Sequence, residues 1–357
     1  MTAKKSSVVV TAMGALTPLG SDVEATCAAI DAGISRVTEH AFYQCTPDDP
    51  EWDEDLPLFS ATVPTIDPFV DGLERFLQLA MPSLTEVLEK SNLKRTDLAQ
   101  TSFYLSLPQL DESTFNIGLA ANLLPALCKQ TGLTSFNDTK INQNGHTGVF
   151  AHVNEAIDLL ESGASQFCIV GGVDSYLLTN RLDYLDSKWR IRSDRNVDGF
   201  IPGEASVMMM LETEAHAKAR GAQVLAKITA ISESQEPDVI NSEKTSSGSG
   251  LTNAIKGILE QTSPSNTFKS VYCSLNGESY YAFEWGLQMT RLSKVFENVN
   301  DLNHPAEYVG DIGAATGGLL LACATNALTQ GTNEDNKALL WSAADSEQRL
   351  ALCLEQA

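Results

Sequence analysis

The chain has 357 residues, enough for a large core in two domains or in one duplicated domain. It is 43% hydrophobic and 20% charged, an ordinary globular composition, and carries a net charge of −22. That charge speaks against nucleic acid and anionic membrane as partners, since phosphate binding needs Lys and Arg, and against acidic proteins unless a local basic patch exists.

No apolar run approaches the roughly 20 residues that span a bilayer. The start, MTAKKSSVVV, lacks an apolar core and a small-residue cleavage site and is expected to be the first strand. Seven cysteines stand singly at positions 27, 45, 128, 168, 273, 323 and 353 with no C-x-x-C pair. Neither a zinc site nor a disulfide framework is indicated, no metal or cofactor is expected, and a reducing cytoplasm fits.

In chain order, Val8 to Ala12 reads as a buried β-branched strand. Ser21 and Glu24 have the spacing of a capping box for a helix that stops at Gly33. Residues 36–68 carry several Pro and Asp and read mostly as loop, including the acidic run Asp48 to Asp55 with Trp52 inside it. That run is read as a solvated loop, with a docking loop anchored by Trp52 as the sharper alternative. A helical region follows, broken at Pro82, where Ser83 and Glu86 repeat the capping spacing up to about Asn92. Ser102 to Leu107 is a strand, and 108–140 mixes short helical runs with turns. Asn144 to Gly163 is a Gly-containing turn, a helix and a Gly stop, and a buried strand from Phe167 then ends in Gly171-Gly172-Val173-Asp174-Ser175. Strands are expected at 205–211, 224–231, 270–275, 338–342 and 349–354, and helices at 212–220, 251–261, about 281–297 and about 315–330. Residues 232–250 are the most loop-like stretch.

The chain echoes itself. Ser102–Leu107 lies 168 positions before Ser270–Leu275, and Gly145 and Gly163 lie 168 before Gly313 and Gly331. Val173-Asp174-Ser175 lies 171 before Ala344-Asp345-Ser346, and Thr11-Ala12-Met13 resembles Thr229-Ala230-Ile231. Matches in chain order at a nearly constant offset predict a duplicated βαβ-rich unit, with halves 1–222 and 223–357.

Four segments carry a family resemblance: SVVVTAMGALTPLG at 7–20, GASQFCIVGGVDS at 163–175, DGFIPGEASVMMMLETEAHAKARGA at 198–222 and IGAATGG at 312–318. In these the chain resembles the thiolase superfamily, specifically β-ketoacyl-(acyl carrier protein) synthases. The resemblance implies an α/β, five-layer α-β-α-β-α sandwich built from two similar halves. It also implies a dimer, either a homodimer or a heterodimer with another thiolase-fold protein.

The chemistry of that family needs a Cys at a helix N-terminus, two His and a glycine-rich oxyanion loop. Counting without gaps, the Cys position falls on His146 and the first His motif on Asn276-Gly277-Glu278. The second His position falls near Asp311, and the oxyanion loop falls around Asp345 and Glu347. Each expected group is replaced, and carboxylates there oppose a developing negative charge. His146 could act as nucleophile or base with Asp311, Asn276 and Glu278 nearby; the blander reading is that it fills the space of a lost Cys. His152, and Asp198, Gly199, Phe200, Pro202 and Glu204 of the DGF-x-PGE run, are expected to be structural.

No family catalytic residue is therefore expected, and the leaning is towards a protein that is not an enzyme. The expected role is an adaptor, scaffold or chaperone-like accessory, with the kind found with type VI secretion effector and spike proteins as its expected context. One alternative is a chain-length-factor-like subunit of a ketosynthase heterodimer, although the acidic charge disfavours an acyl carrier protein as a direct partner. The enzyme alternative is an acyltransferase or hydrolase using His146.

Overall fold

The computed structural model of the protein describes residues 2–45, 56–111, 118–133, 136–240, 242, 244–262, 267–299, 301–333 and 335–357. Its first part contains β1 (Thr2–Leu16), α1 (Val23–Asp31), β2 (Val37–Cys45), β3 (Leu56–Ala61), α2 (Gly72–Ser91), β4 (Thr101–Ser106), α3 (Leu119–Thr131), β5 (Thr139–Asn142), α4 (Gly148–Glu161), β6 (Phe167–Ser175), α5 (Thr179–Ser187), β7 (Glu204–Thr213) and α6 (Glu214–Arg220). There follow β8 (Ala226–Gln235), α7 (Ser249–Gln261), β9 (Ser270–Cys273), α8 (Ser279–Arg291), α9 (Ser293–Phe296), β10 (Asp301–Asn303), α10 (Ala306–Val309), α11 (Thr316–Gln330), β11 (Lys337–Ala343) and β12 (Gln348–Gln356).

Ten strands hydrogen-bond in the order β10-β9-β11-β12-β8-β1-β7-β6-β4-β5. The long β1 is the hinge of this arrangement, pairing antiparallel with β8 through Thr2–Val10 and with β7 through Val8–Leu16. Moving outward from it, the pattern occurs twice. β7 pairs antiparallel with β6, β6 parallel with β4 and β4 parallel with β5. β12 pairs antiparallel with β11, β11 parallel with β9 and β9 parallel with β10. Segments matched at the 168-residue offset thus fall on equivalent strands, β4 with β9, and the match at offset 171 pairs the end of β6 with the residues just past the end of β11.

Side chains alternate across each strand and so feed different cores. Val10, Val170, Val207 and Met209 from one set, with Ile228, Leu340, Leu350 and Leu352 from the other, pack around α4 and α11. Alternate residues of the first set, among them Phe103, Leu105, Ile169 and Met210, pack against α2 and α3. In the second set Ala230, Val271, Leu339 and Trp341 pack against α7 and α8. Helices lie outside, strands next and helices between them, which is a five-layer α-β-α-β-α arrangement.

Several local expectations are corrected. Residues 37–45 and 56–61 are not loop but the antiparallel pair β2–β3, whose short alternation is hidden among Pro and Asp. The acidic run 48–55, with Trp52, lies outside the described residues. α2 is not broken at Pro82. Proline in a helix interior costs ~3 kcal/mol, and the burial of Phe76, Leu79, Ala80, Leu84 and Val87 on one face outweighs it. The cap of α1 is Asp22, which accepts from the Ala25 amide, rather than Ser21. Residues 232–235 belong to β8, and Glu236 and Ser246 beyond it are buried, so much of 232–250 is structured. Among the described residues no helix is long and apolar enough to cross a membrane.

Candidate functional site

Two tight turns meet at the centre of the molecule. Gly145–Thr147 forms the turn that starts α4, and Gly313–Ala315 forms the turn that starts α11. They approach because Gly172, at the end of β6, has no side chain; a Cβ there would lie 2.0 Å from the Ala314 carbonyl oxygen. At the 168-residue offset His146 is equivalent to Ala314, so of these two positions only the first carries an ionisable side chain.

The four positions singled out from sequence do converge. His146 Nε2 lies 2.7 Å from Asp311 Oδ1. Asn276 Nδ2 donates to Asp311 Oδ2 at 2.8 Å and to Glu278 Oε2 at 2.9 Å. The Gly313 amide donates to Asp311 Oδ1 at 2.8 Å. Asp345 does not touch His146 and reaches the cluster through Arg190. That guanidinium is forked, donating to both oxygens of Glu278 at 2.7 and 2.6 Å and to both oxygens of Asp345 at 2.5 and 3.2 Å. Tyr281 donates its hydroxyl to Asp345 as well.

Electrostatics follow from these contacts. Burial alone would favour a neutral His146 ring, but the charge and hydrogen bond of Asp311 outweigh it and lift the His146 pKa to about 9. Asp311, equally buried, is held below the usual carboxylate range chiefly by His146. Burial would likewise raise Asp345, and Arg190 brings it down to about 2. Glu278 remains raised, since desolvation exceeds what Arg190 returns. At neutral pH His146 is therefore an imidazolium, and its Nε2 already faces a carboxylate. A ring in that state has no lone pair to attack a thioester or to take a proton there.

Beside His146 the space is small, while the Asn276–Glu278 side of the cluster borders a wider cavity of about 260 Å³ that His304 and Glu307 also line. One cavity, lined by His146, Ser274, Asn276, Asp311 and Leu319, measures about 10 Å³. A second, on the other side of His146, measures about 60 Å³ and is lined by Gly145, Arg181, Lys188, Arg190 and Asp345 among others. Ligand pockets usually have ~300–1,000 Å³. All described cysteines are free thiols, and burial pushes Cys273, which lines the smaller cavity, up to about 12, so it is not a ready thiolate.

The DGF-x-PGE run is built into the frame. Asp198 accepts from the Ser279 amide and hydroxyl, both at 2.6 Å, at the start of α8. The backbone around Pro202 brackets Asp311: the Asp311 amide donates to the Ile201 carbonyl at 2.7 Å, and the Gly203 amide to the Asp311 carbonyl at 2.8 Å. Glu204 is fully buried and holds Arg75 through two hydrogen bonds of 2.6 and 2.9 Å. His152 lies within α4, with Nε2 3.3 Å from the Leu105 carbonyl oxygen. Arg190, Tyr281 and the buried Asp174–Arg181 pair escaped the sequence reading. The only available signal was charge: carboxylates expected at a buried site require cations nearby.

No family model matches the chain. A stretch of 35 residues is 57% identical to 3-oxoacyl-(acyl-carrier-protein) synthase 2 of Mycobacterium bovis and of Mycobacterium tuberculosis, covering 10% of this chain and 8% of each of those proteins. Solved structures match over nearly the whole length. A type II polyketide acyl-carrier protein in complex with its ketosynthase gives a TM-score of 0.80 at 14% identity, covering 99% of this chain and 100% of that one. The ishigamide ketosynthase/chain length factor gives 0.76 at 15% identity with the same coverage. A beta-ketoacyl synthase from Burkholderia phymatum gives 0.75 at 15%, again with the same coverage. Identity this low speaks to architecture, and the architecture is the thiolase-like fold of ketosynthases.

Proposed function

We propose that this chain is a thiolase-fold subunit without condensing activity, which works by pairing with a second thiolase-fold chain in the manner of a chain-length factor. The observation that carries the reading is the His146–Asp311 ion pair, because gap-free registration of the sequence puts the thiol of a ketosynthase at His146. Decarboxylative condensation needs a thiolate, neutral imidazoles and donors aimed at an oxyanion. Here the equivalent positions hold a cation at His146, an amide at Asn276 and carboxylates at Asp311 and Asp345, and the cavities that reach His146 measure only about 10 and 60 Å³. The similar structures support pairing with a thiolase-fold chain, since one of them is itself a ketosynthase/chain length factor. On this reading an acidic carrier protein would dock on the partner, which suits a chain of net charge −22.

The test is co-expression with a ketosynthase from the same host, followed by size-exclusion chromatography with light scattering and an acyl-transfer assay on each purified species. The expected result is a one-to-one heterodimer whose activity survives His146→Ala. Turnover by the isolated chain that disappears in His146→Ala would restore the acyltransferase or hydrolase reading. Recovery of a stable complex with a secretion effector or spike protein, and none with a ketosynthase, would move the protein to the secretion-accessory role.

A further inference from the structure

The cavity of about 60 Å³ beside His146 has features that the pairing function does not use. Gly145 and His146, in the turn that leads into the 14-residue helix α4, line it, and no side chain caps either the helix or that turn. The first amides of a helix are unpaired donors, and its dipole favours negative charge there. Arg181 lines the same cavity and is only 3% exposed. Its Nη1 is spent on Asp174 and on the Ser175 carbonyl, but its Nε has no hydrogen-bond partner among the described residues. A buried guanidinium N–H left unpaired is uncommon and asks for an acceptor. Lys188, at the exposed edge of the cavity, forms no ion pair with a described residue and lies over the Tyr184 ring. Two carboxylates share the lining: Asp345, engaged by Arg190 and Tyr281, and Asp111, whose charge favours the protonated Arg181.

We infer that this cavity is a binding site for one small oxyanion, a carboxylate or a phosphate, held by Arg181 Nε, Lys188 Nζ and the amides of Gly145 and His146 in the turn that leads into α4. The volume fits this class, since a single water needs roughly 10–15 Å³ of such space. An acyl chain or a nucleotide would not fit. The site does not depend on which protein the chain pairs with, so it stands or falls separately from the proposed function.

Isothermal titration of the full chain with sodium acetate, and separately with inorganic phosphate, tests it, with ionic strength held constant by chloride. Saturable one-site binding is expected for at least one of the two, and which one binds distinguishes a planar carboxylate site from a tetrahedral phosphate site. Lys188→Glu, at an exposed position that leaves folding intact, should weaken binding by about tenfold or more, as loss of a charge-assisted contact does. Arg181→Lys, which keeps the charge opposite Asp174 but removes Nε, should weaken it similarly. Lys129→Glu, an exposed lysine on α3, should bind as the unaltered chain does. No saturable heat above the chloride control for either anion, or unchanged affinity in both Lys188→Glu and Arg181→Lys, overturns the inference.

Discussion

His146 Nε2 and Asp311 Oδ1 lie 2.7 Å apart, and they belong to the two turns that start α4 and α11. The contact therefore joins the starts of the two central helices of the fold. Because both groups are buried and each is the other's charge partner, it should be visible in stability before it is visible in any assay.

The first prediction is a pH dependence. The His146 pKa is about 9 in the folded chain against about 6.5 for an unperturbed imidazole. Between those values the folded state binds the extra proton, so stability falls as pH rises. The contribution should be fully present below about pH 6.5 and lost through pH 9. Asp311 acts at the other end: its folded pKa is depressed, so its contribution is present above the ordinary carboxylate range and lost as pH falls through the folded value. Urea denaturation should show an alkaline loss of stability between pH 6.5 and 9 that is absent in His146→Gln. That variant should also be about 3–5 kcal/mol less stable at pH 6, the usual cost of stripping one partner from a buried pair. An unchanged alkaline slope in His146→Gln would mean that the ring is not charged in the folded chain.

Arg190 supports the second prediction. Among the described residues it alone bridges Glu278 and Asp345, and Tyr281 is a further donor on Asp345. Arg190→Ala should leave two mostly buried carboxylates facing each other, at a cost of about 3–5 kcal/mol. Lowering the pH towards 4 should recover part of the loss in Arg190→Ala by protonating one of them, while it does not stabilise the unaltered chain. Thermal melts of both proteins at pH 4.5 and 7.5 measure the difference directly. Arg190→Lys keeps the charge but cannot fork across four oxygens, so it should fall between the two.

How much of this could be read from sequence depended on the range of the interactions involved. The buried strands and the central helices were legible because their patterns are local, and the repeat was legible because equivalent loops kept nearly equal lengths, placing Ser102–Leu107 and Ser270–Leu275 on β4 and β9. The convergence of His146, Asn276 and Asp311 followed from that registration. The Arg190 fork did not, because its partners lie 88 and 155 residues away and nothing in the neighbourhood of Arg190 marks them. Pro82 misled for a similar reason: its local effect is unfavourable, and what overrides it is the packing of α2 on β1 and β7. The β2–β3 pair was missed because Pro and Asp interrupt a short alternation, and pairing between distant segments is what makes it a sheet.

A third prediction separates the structural from the chemical part of the DGF-x-PGE run. Glu204 is fully buried, holds Arg75 and accepts from the Ser175 hydroxyl at 2.8 Å and the Val63 amide at 3.0 Å. It contacts neither His146 nor Asp311. Glu204→Gln should destabilise the fold by about 3 kcal/mol or more through the unpaired Arg75, while leaving the alkaline transition assigned to His146 at the same pH. A shift of that transition would tie Glu204 to the site electrostatically and contradict the separation.

The last prediction concerns the close approach that brings the two turns together. Gly172 sits in β6, and an added Cβ would fall 2.0 Å from the Ala314 carbonyl oxygen and 2.7 Å from its carbon. Both are backbone atoms in the turn that starts α11, so no side-chain rotation can relieve the clash. Gly172→Ala should push that turn away from α4, lengthen the His146–Asp311 contact and cost at least about 1–3 kcal/mol, the range of overpacking in a close-packed core. Gly286 is the matched control. It lies in the middle of α8, and a Cβ there would meet nothing within 4 Å. Gly286→Ala should stabilise the chain by about 0.4–1 kcal/mol by restricting the unfolded state. Urea titrations of the two variants should therefore move in opposite directions, and only Gly172→Ala should also flatten the loss of stability between pH 6.5 and 9. Were Gly172→Ala as stable as the unaltered chain with its alkaline limb intact, the contact between the two turns would not be what holds His146 against Asp311.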